Sequence, residues 1–248
     1  PITLADHLPW AALVAPDVIL NKDGSFSACV LFRGPDLESS TSEELMAVRA
    51  RLNNMLKRLG TGWCLHMEAR RRVADPYPDS AIDNPVAWLV DEERRALFEQ
   101  GGAAFETDHV ATLTWLPPSD DTRKAETFLF ENRVATSRDW REALALFQRE
   151  IAILVDLMAD ALPEARLMQN SEVLTYLHAC ISPKPHAVAV PETPVFLDAQ
   201  LADTPLEGGI APKLGDQHLR IVGIRSFPAK TLPGLLDALG HLPFTYRW

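Results

Sequence analysis

The sequence predicts an α+β fold: a mixed, largely antiparallel sheet with packed helices, arranged in one or two lobes. Strand-like and helix-like segments are interspersed along the 248 residues. The extended runs Val18–Leu20 and Ser27–Arg33 flank the turn sequence Asn21–Gly24, which predicts an early β-hairpin. This hairpin and the short later connections disfavour a doubly wound parallel sheet. Hydrophobic residues make up 47% of the chain, enough to bury a core.

Periodicity predicts the remaining elements. Thr41 and Glu44 fit a capping box, and apolar residues follow at helical spacing until Leu59. Trp63–Val73 alternates in polarity, as a strand does. We expect residues 1–16 to form an irregular arm, because prolines interrupt them. The other predicted elements are a helix over 86–99, a strand over 109–116, a helix over 139–162, a strand over 164–168 and a helix over 171–181.

The predicted helix over 139–162 is the longest in the chain. Its main apolar stripe follows a strict 4-3 spacing through Trp140, Leu144, Phe147, Ile151, Leu154 and Met158. Its second half is apolar nearly all round, which indicates burial inside the domain or against a partner. We predict burial within the same chain.

The sequence suggests three regions: a domain over 1–182, a proline-rich arm over 183–209 and a closing unit over 210–248. The closing unit predicts a strand over His218–Phe227, a helix over Leu232–Leu239 and an extended run over Phe244–Trp248. The chain starts at Pro1 and stops within an extended run, so we expect a piece of a longer protein. An exposed patch around Phe244, Tyr246 and Trp248 would fit that expectation.

The charge balance limits the classes of partner. The net charge is −10 and the pI about 5.2, which disfavours general binding to nucleic acid or to an anionic membrane. Cys29, Cys64 and Cys180 are odd in number and widely spaced, as expected in a reducing compartment. No run reaches the ~18 apolar residues of a membrane span, and no signal peptide is visible.

The search for a nucleotide site is negative. The nearest candidate for a phosphate-binding loop is Gly209–Gly215. It carries Pro212 where a free N–H is needed, and Asp216 stands where the lysine should follow. The acids Asp120 and Asp121 follow a Pro-Pro pair and are predicted to lie on a solvated loop.

Metal and anion candidates are equally weak. Cys64, His66 and Glu68 share one strand face and could converge on a metal, although a mixed polar face explains them as well. His178 and Cys180 do not face each other on a helix. The run Arg70–Arg72 alternates between faces, so we expect pairing with acids such as Glu92 and Glu93 rather than a phosphate site. We therefore predict no catalytic, cofactor-binding or metal-binding residue.

Several short stretches resemble one known family, and they occur in the same order from one end of the chain to the other. They are Leu8–Pro16, Leu20–Phe26, Phe32–Leu37, Leu52–Asn54, Gly62–Trp63, Trp88–Arg95, Leu113–Pro118, Thr175–His178, Pro191–Pro194, Pro212–Leu219, Phe227–Pro228, Leu235–Leu239 and Tyr246–Trp248. The chain resembles the N-terminal domain of the TrbE family, the conjugal-transfer ATPases of type IV secretion systems.

This resemblance implies a large cytoplasmic ATPase, peripheral at the inner membrane, that powers pilus assembly and transfer of DNA or protein substrates. ATP and Mg²⁺ would bind in a C-terminal domain beyond Trp248. The present domain would dock onto inner-membrane components of the machinery and support self-association, without catalysis, cofactor or direct nucleic-acid contact. The predicted helix over Leu232–Leu239 and the predicted extended run over Phe244–Trp248 would couple this domain to the C-terminal ATPase domain. The alternatives are a metal-dependent hydrolase using His66 and Glu68, or a nucleic-acid-binding module.

Overall fold

A computed structural model describes residues 3–118, 140–184, 186–193, 195–226, 228–231 and 234–248. The described helices are α1 (Leu4–His7), α2 (Ser42–Leu56), α3 (Pro85–Gln100), α4 (Trp140–Ala161), α5 (Asn170–Ile181) and α6 (Leu197–Leu201), with a 3₁₀ turn at Asp237–His241. The strands are β1 (Trp10–Ala15), β2 (Val18–Asn21), β3 (Phe26–Arg33), β4 (Trp63–Val73), β5 (Phe105–Trp115), β6 (Glu164–Leu167), β7 (Leu206–Glu207), β8 (Lys213–Leu214), β9 (Gln217–His218) and β10 (Tyr246–Arg247).

The main sheet has the strand order β1-β2-β3-β5-β4-β10, and β6 also pairs with β3. The β1–β2, β2–β3, β3–β6 and β4–β10 pairs are antiparallel. Strand β2 pairs with the start of β3, where Ile19 faces Ser27, whereas β6 pairs with its end, where Val30 faces Leu167. Strands β7, β8 and β9 form a small separate sheet. The predicted α+β class with largely antiparallel pairing is confirmed.

The chain groups into two compact units. One contains Pro1–His66 and Ala111–Phe227, and the other contains Met67–Val110 and Pro228–Trp248. The three-way division over 1–182, 183–209 and 210–248 stays a prediction.

The core of the first unit lies between α4 and the strands. Phe147 of α4 is fully buried, and its ring centroid lies 5.7 Å from those of both Phe26 and Trp63. The other buried residues of α4 are Ala143, Leu144, Ile151, Leu154, Met158 and Ala161. The predicted burial of this helix within its own chain is confirmed, except at Trp140, which is exposed.

Helix α2 begins as its sequence predicts. The backbone N–H of Glu44 donates to Oγ1 of Thr41 over 3.3 Å, and the backbone N–H of Thr41 donates to Oε2 of Glu44 over 2.7 Å. This reciprocal capping satisfies two backbone donors that a helix start leaves open. Arg51 of this helix also donates to the carbonyl oxygen of Asp160 at the end of α4.

Three sequence predictions for the ends of the chain are wrong. Residues 1–16 are not an irregular arm but contain α1 and β1, because Pro9 and Pro16 lie just outside β1 and bound it. The predicted strand over His218–Phe227 reduces to β9, and residues 219–226 are not in a strand. In place of an α-helix over Leu232–Leu239, the described residues form a turn and the short 3₁₀ segment.

The last residues of the second unit form the predicted extended run. It appears as β10, which pairs with β4. Phe244 and Trp248 are exposed and Tyr246 is half-buried, so the predicted exposed patch is confirmed for two of its three residues.

Candidate interaction surface

Helix α3 is the most unusual described element of the second unit, because none of its 16 residues is buried. The Asn84 side chain caps its start by accepting hydrogen bonds from the N–H groups of Val86 and Ala87 over 2.9 and 3.2 Å. Pro85 occupies the first turn, where a helix tolerates proline. The local sequence therefore specifies where this helix begins, although the helix buries none of its residues.

Polar and aromatic contacts hold one side of α3 to the preceding loop. The hydroxyl of Tyr77 donates to Oδ1 of Asp91 over 2.8 Å, which raises the pKa of Tyr77. The guanidinium of Arg95 lies 5.0 Å from the centroid of the Tyr77 ring and donates to Asp79. The rings of Tyr77 and Phe98 meet edge to face at 5.8 Å. Such contacts stabilise an amphipathic helix without a large apolar interface.

The other side of α3 presents an apolar stripe to solvent. At 100° per residue, four apolar side chains fall within about 100° of one another around the helix. These residues, the α3 stripe, are Val86 (70% exposed), Leu89 (62%), Val90 (44%) and Leu97 (67%). Exposed apolar side chains scattered singly are normal, but four on one helix face mark a candidate binding surface, and the exposed Glu93 lies within the same arc.

A cavity of about 470 Å³ lies at the N-terminal half of the stripe. Its apolar lining comes from Ile82, Val86 and Val90, and its polar lining includes Asp91 and Arg94. This mixture of apolar and charged lining residues is typical of protein-binding surfaces.

The arginine run of β4 is neutralised within the second unit. Arg70 and Arg72 both donate to Oδ2 of Asp108, over 2.7 and 3.1 Å, and Arg72 also pairs with Glu106 over 2.7 Å. Burial alone would raise the pKa of Asp108, but the arginines bring it below its usual value. The predicted pairing with acids is confirmed, but the partners lie on β5 and are not Glu92 and Glu93.

The middle arginine of the run, Arg71, has other partners. Arg71 Nε donates to the carbonyl oxygen of Leu242 over 3.0 Å, and its guanidinium lies 4.7 Å from the centroid of the Phe105 ring. All three arginines therefore have partners within this unit, so the run presents no phosphate site.

The metal candidates of β4 do not assemble among the described residues. Cys64 Sγ lies 3.8 Å from Nδ1 of His66, but the Glu68 carboxylate accepts a hydrogen bond from Arg247. The cysteines are thiols, without a disulfide. His66 and Glu68 therefore supply no basis for the metal-dependent hydrolase alternative.

The candidate phosphate loop also has another structure. Within Gly209–Gly215, residues Lys213 and Leu214 form β8, which pairs with β9. Gly215 then turns the chain at a φ of 61°. This hairpin replaces the helix start that a phosphate-binding loop requires. Asp120 and Asp121 lie outside the described residues.

One cluster was missed by sequence reasoning. His178, tested from the sequence only against Cys180 on the same helix, meets His186 and Asp203. The pKa of Asp203 lies below its usual value, first because the His178 ring donates a hydrogen bond to the carboxylate. Nothing in the spacing of these residues signals the cluster, since both partners come from the proline-rich segment.

Among the helices of the described residues, none combines the length and apolar character needed to cross a bilayer.

The fold and surface define an α+β domain that exposes an apolar helix stripe and whose described residues form no phosphate-binding loop. A profile of the type IV secretion system ATPase VirB4/TrbE, N-terminal domain, matches residues 17–123. The chain belongs to this family, which confirms the resemblance predicted from its sequence motifs.

Individual relatives agree with this family assignment. The chain is 34% identical to the conjugal transfer protein TrbE of Rhizobium radiobacter over 99% of its own length. It is 39% identical to the first portion of a probable conjugal transfer protein TrbE of Sinorhizobium fredii, covering 46% of the chain and 79% of that portion. It is 22% identical to the type IV secretion system protein virB4 of Bartonella henselae over 97% of the chain. The chain spans 32% of the length of the Rhizobium radiobacter protein.

Proposed function

We propose that this chain is the docking and assembly domain of a conjugative type IV secretion ATPase, and that it has no catalysis of its own. The longer protein would bind ATP and Mg²⁺ in a domain beyond Trp248 and power pilus assembly and substrate transfer. It would act in the cytoplasm, peripheral at the inner membrane, and self-associate. Family membership supports the ATPase, and the α3 stripe is the observation that carries the docking role.

The partner proposed for the α3 stripe is an inner-membrane component of the secretion machinery, contacted through an apolar surface of its own. The stripe supplies aliphatic side chains, Asp91 and Arg94 line the cavity beside them, and the exposed Glu93 lies on the same helix face, a combination that suits a protein surface. The net charge of −10 disfavours phosphate-rich alternatives such as lipid headgroups or DNA. The stripe is therefore assigned to a protein partner.

A transfer assay tests the docking role. The double variant Leu89→Glu/Leu97→Glu is placed in the full-length protein, in a donor strain that lacks its own copy. Both side chains are more than half exposed, so the fold should tolerate the change. We expect transfer to fall roughly tenfold or more, because charges in an apolar contact weaken binding strongly. ATP turnover of the purified protein should stay unchanged.

Met46→Glu provides the matched control, because Met46 is also exposed but lies on α2. Transfer should be normal in this variant. Normal transfer with the α3 double variant would contradict the proposal. So would a loss of ATP turnover equal to the loss of transfer, since the stripe would then act on the motor.

The remaining claim of the proposal concerns catalysis. Purified residues 1–248 should not hydrolyse ATP, whereas the full-length protein should. Turnover by residues 1–248 alone would overturn the assignment of catalysis to a domain beyond Trp248.

A further inference from the structure

Three side chains with metal-binding atoms converge in the first unit. His178 lies in α5, His186 follows that helix, and Asp203 follows α6. One ligand atom from each residue lies within 4.8 Å of those of the other two. Two imidazoles and one carboxylate form a ligand set that proteins use for zinc and for other first-row divalent ions.

The spacing of these atoms is close to that of a metal site. Nε2 of His178 lies 2.9 Å from Oδ2 of Asp203. Two ligands on one tetrahedral zinc ion lie roughly 3.3 Å apart, given bonds of about 2.0 Å. The ligand atom of His186 lies no more than 4.8 Å from those of the other two residues. It therefore needs to move closer to them by at most about 1.5 Å to reach the spacing of a zinc site. His186 is exposed, so rotation of its side chain can supply this movement.

The hydrogen bond of His186 leaves the required atom available. Its Nδ1 lies 3.3 Å from the carbonyl oxygen of Lys184. A carbonyl oxygen can only accept, so Nδ1 carries the proton and Nε2 carries the lone pair. Metal-binding histidines commonly use such a backbone carbonyl to fix their tautomer and ring orientation.

His178 forms the buried end of the cluster. Its side chain is almost completely buried, and its Nδ1 has no hydrogen-bond partner among the described residues. Because Nδ1 is unpaired in the described part of the chain, it can take the ring proton when Nε2 binds a metal ion. The ring of His178 also contacts that of His186, with centroids 4.2 Å apart.

The cluster borders a cavity of about 490 Å³. His186 and Asp203 line this cavity together with Asp216 and Ser182. The two carboxylates outnumber the one cationic side chain of the lining, Lys184, which leaves a net negative charge that favours a divalent cation. The cavity also gives a metal ion an entry path and an open coordination position for water.

We propose that His178, His186 and Asp203 bind one divalent transition-metal ion of the zinc class, which fixes the segment after α5 against that helix. Metal binding at Nε2 of His178 replaces the hydrogen bond to Asp203: the ring proton moves to Nδ1, so the imidazole stays neutral, and the carboxylate binds the ion instead. The site shares no residue with the α3 stripe, so the metal-binding proposal does not depend on the docking role.

Metal titration of the untagged, chelator-treated chain tests the site, with Zn²⁺ as the probe and Co²⁺ as a spectroscopic reporter. We expect one zinc ion per chain and the visible absorption of low-symmetry, four-coordinate Co²⁺. His186→Ala should weaken zinc binding at least about 100-fold, because it removes a direct ligand. Zinc should raise the Tm of the unchanged chain and leave the Tm of His186→Ala unchanged.

The variant His66→Ala serves as the matched control, because His66 is an exposed histidine outside the cluster. It should bind zinc as the unchanged chain does. Asp203→Asn should also weaken binding, and its circular dichroism spectrum separates this effect from loss of folding. The proposal is overturned if the chain binds no stoichiometric zinc, if His186→Ala binds it equally well, or if His66→Ala loses it.

Discussion

Ala69 and Trp248 are joined by two backbone hydrogen bonds: the N–H of Ala69 donates to Trp248 over 2.8 Å, and the N–H of Trp248 donates to Ala69 over 3.1 Å. This pair holds the last residues of the second unit on β4. Beside it, the Glu68 carboxylate accepts a hydrogen bond from Nε of Arg247. The attachment of β10 therefore combines backbone pairing with one half-buried ion pair.

Glu68→Gln should loosen β10 without unfolding the unit. The change removes the charge of a half-buried ion pair, which we expect to cost about 1 kcal/mol. Hydrogen exchange at the amides of Ala69 and Trp248 should become roughly fivefold faster. Asp75→Asn is the control, because that side chain is 83% exposed. Equal exchange rates in the two variants would show that the ion pair does not hold β10.

Leu154→Asp should prevent folding of the first unit. Leu154 is 2% exposed, and an unpaired carboxylate there should cost on the order of 4 kcal/mol or more. Ala152→Asp, on the exposed face of the same helix, should cost only about 0.7 kcal/mol through helix propensity. Urea unfolding measures both. A folded Leu154→Asp variant that had lost only self-association would identify this helix as an interface instead.

Glu172→Gln should change how stability depends on pH. Arg166 donates to both carboxylate oxygens of Glu172, each over 2.8 Å, and this first cause lowers the pKa of Glu172 to about 2. Because the folded-state pKa lies below the ordinary glutamate value of 4.5, the stabilisation is present above pH 4.5 and is lost as pH falls towards 2.

The pair is partly exposed, so the variant should lose only about 0.5–1 kcal/mol at pH 7. Below about pH 2 the two proteins should be equally stable. Glu43→Gln in the first turn of α2 controls for loss of a negative charge near a helix start. Urea unfolding across this pH range measures the difference. A constant difference between Glu172→Gln and the unchanged chain at all pH values would contradict this account.

Local sequence signals predicted the elements that carry their own pattern. Trp63–Val73 was predicted at its observed bounds because its polarity alternates, and the long helix because its apolar residues keep a 4-3 spacing. Both patterns report which side of one element is buried. They need no knowledge of distant residues.

The remaining features depend on distant partners. The apolar run around Ile221 and Ile224 suggested a strand, but a strand also needs a neighbouring edge, and these residues lie exposed outside any strand. The meeting of His178 with Asp203 depends on how the proline-rich segment returns to α5. The sequence shows the apolar residues of the α3 stripe but does not predict that they are exposed. Helical spacing alone does not reveal whether another element covers a helix face.

The most direct test of the docking role places a photo-reactive amino acid at Leu89 of the full-length protein in cells that assemble the secretion machinery. Met46 carries the same probe in the control. We predict that Leu89 crosslinks to an inner-membrane component of the machinery, identified by mass spectrometry, and that Met46 does not. Crosslinking of Leu89 only to a second copy of the protein, or the same products from both positions, would contradict the account.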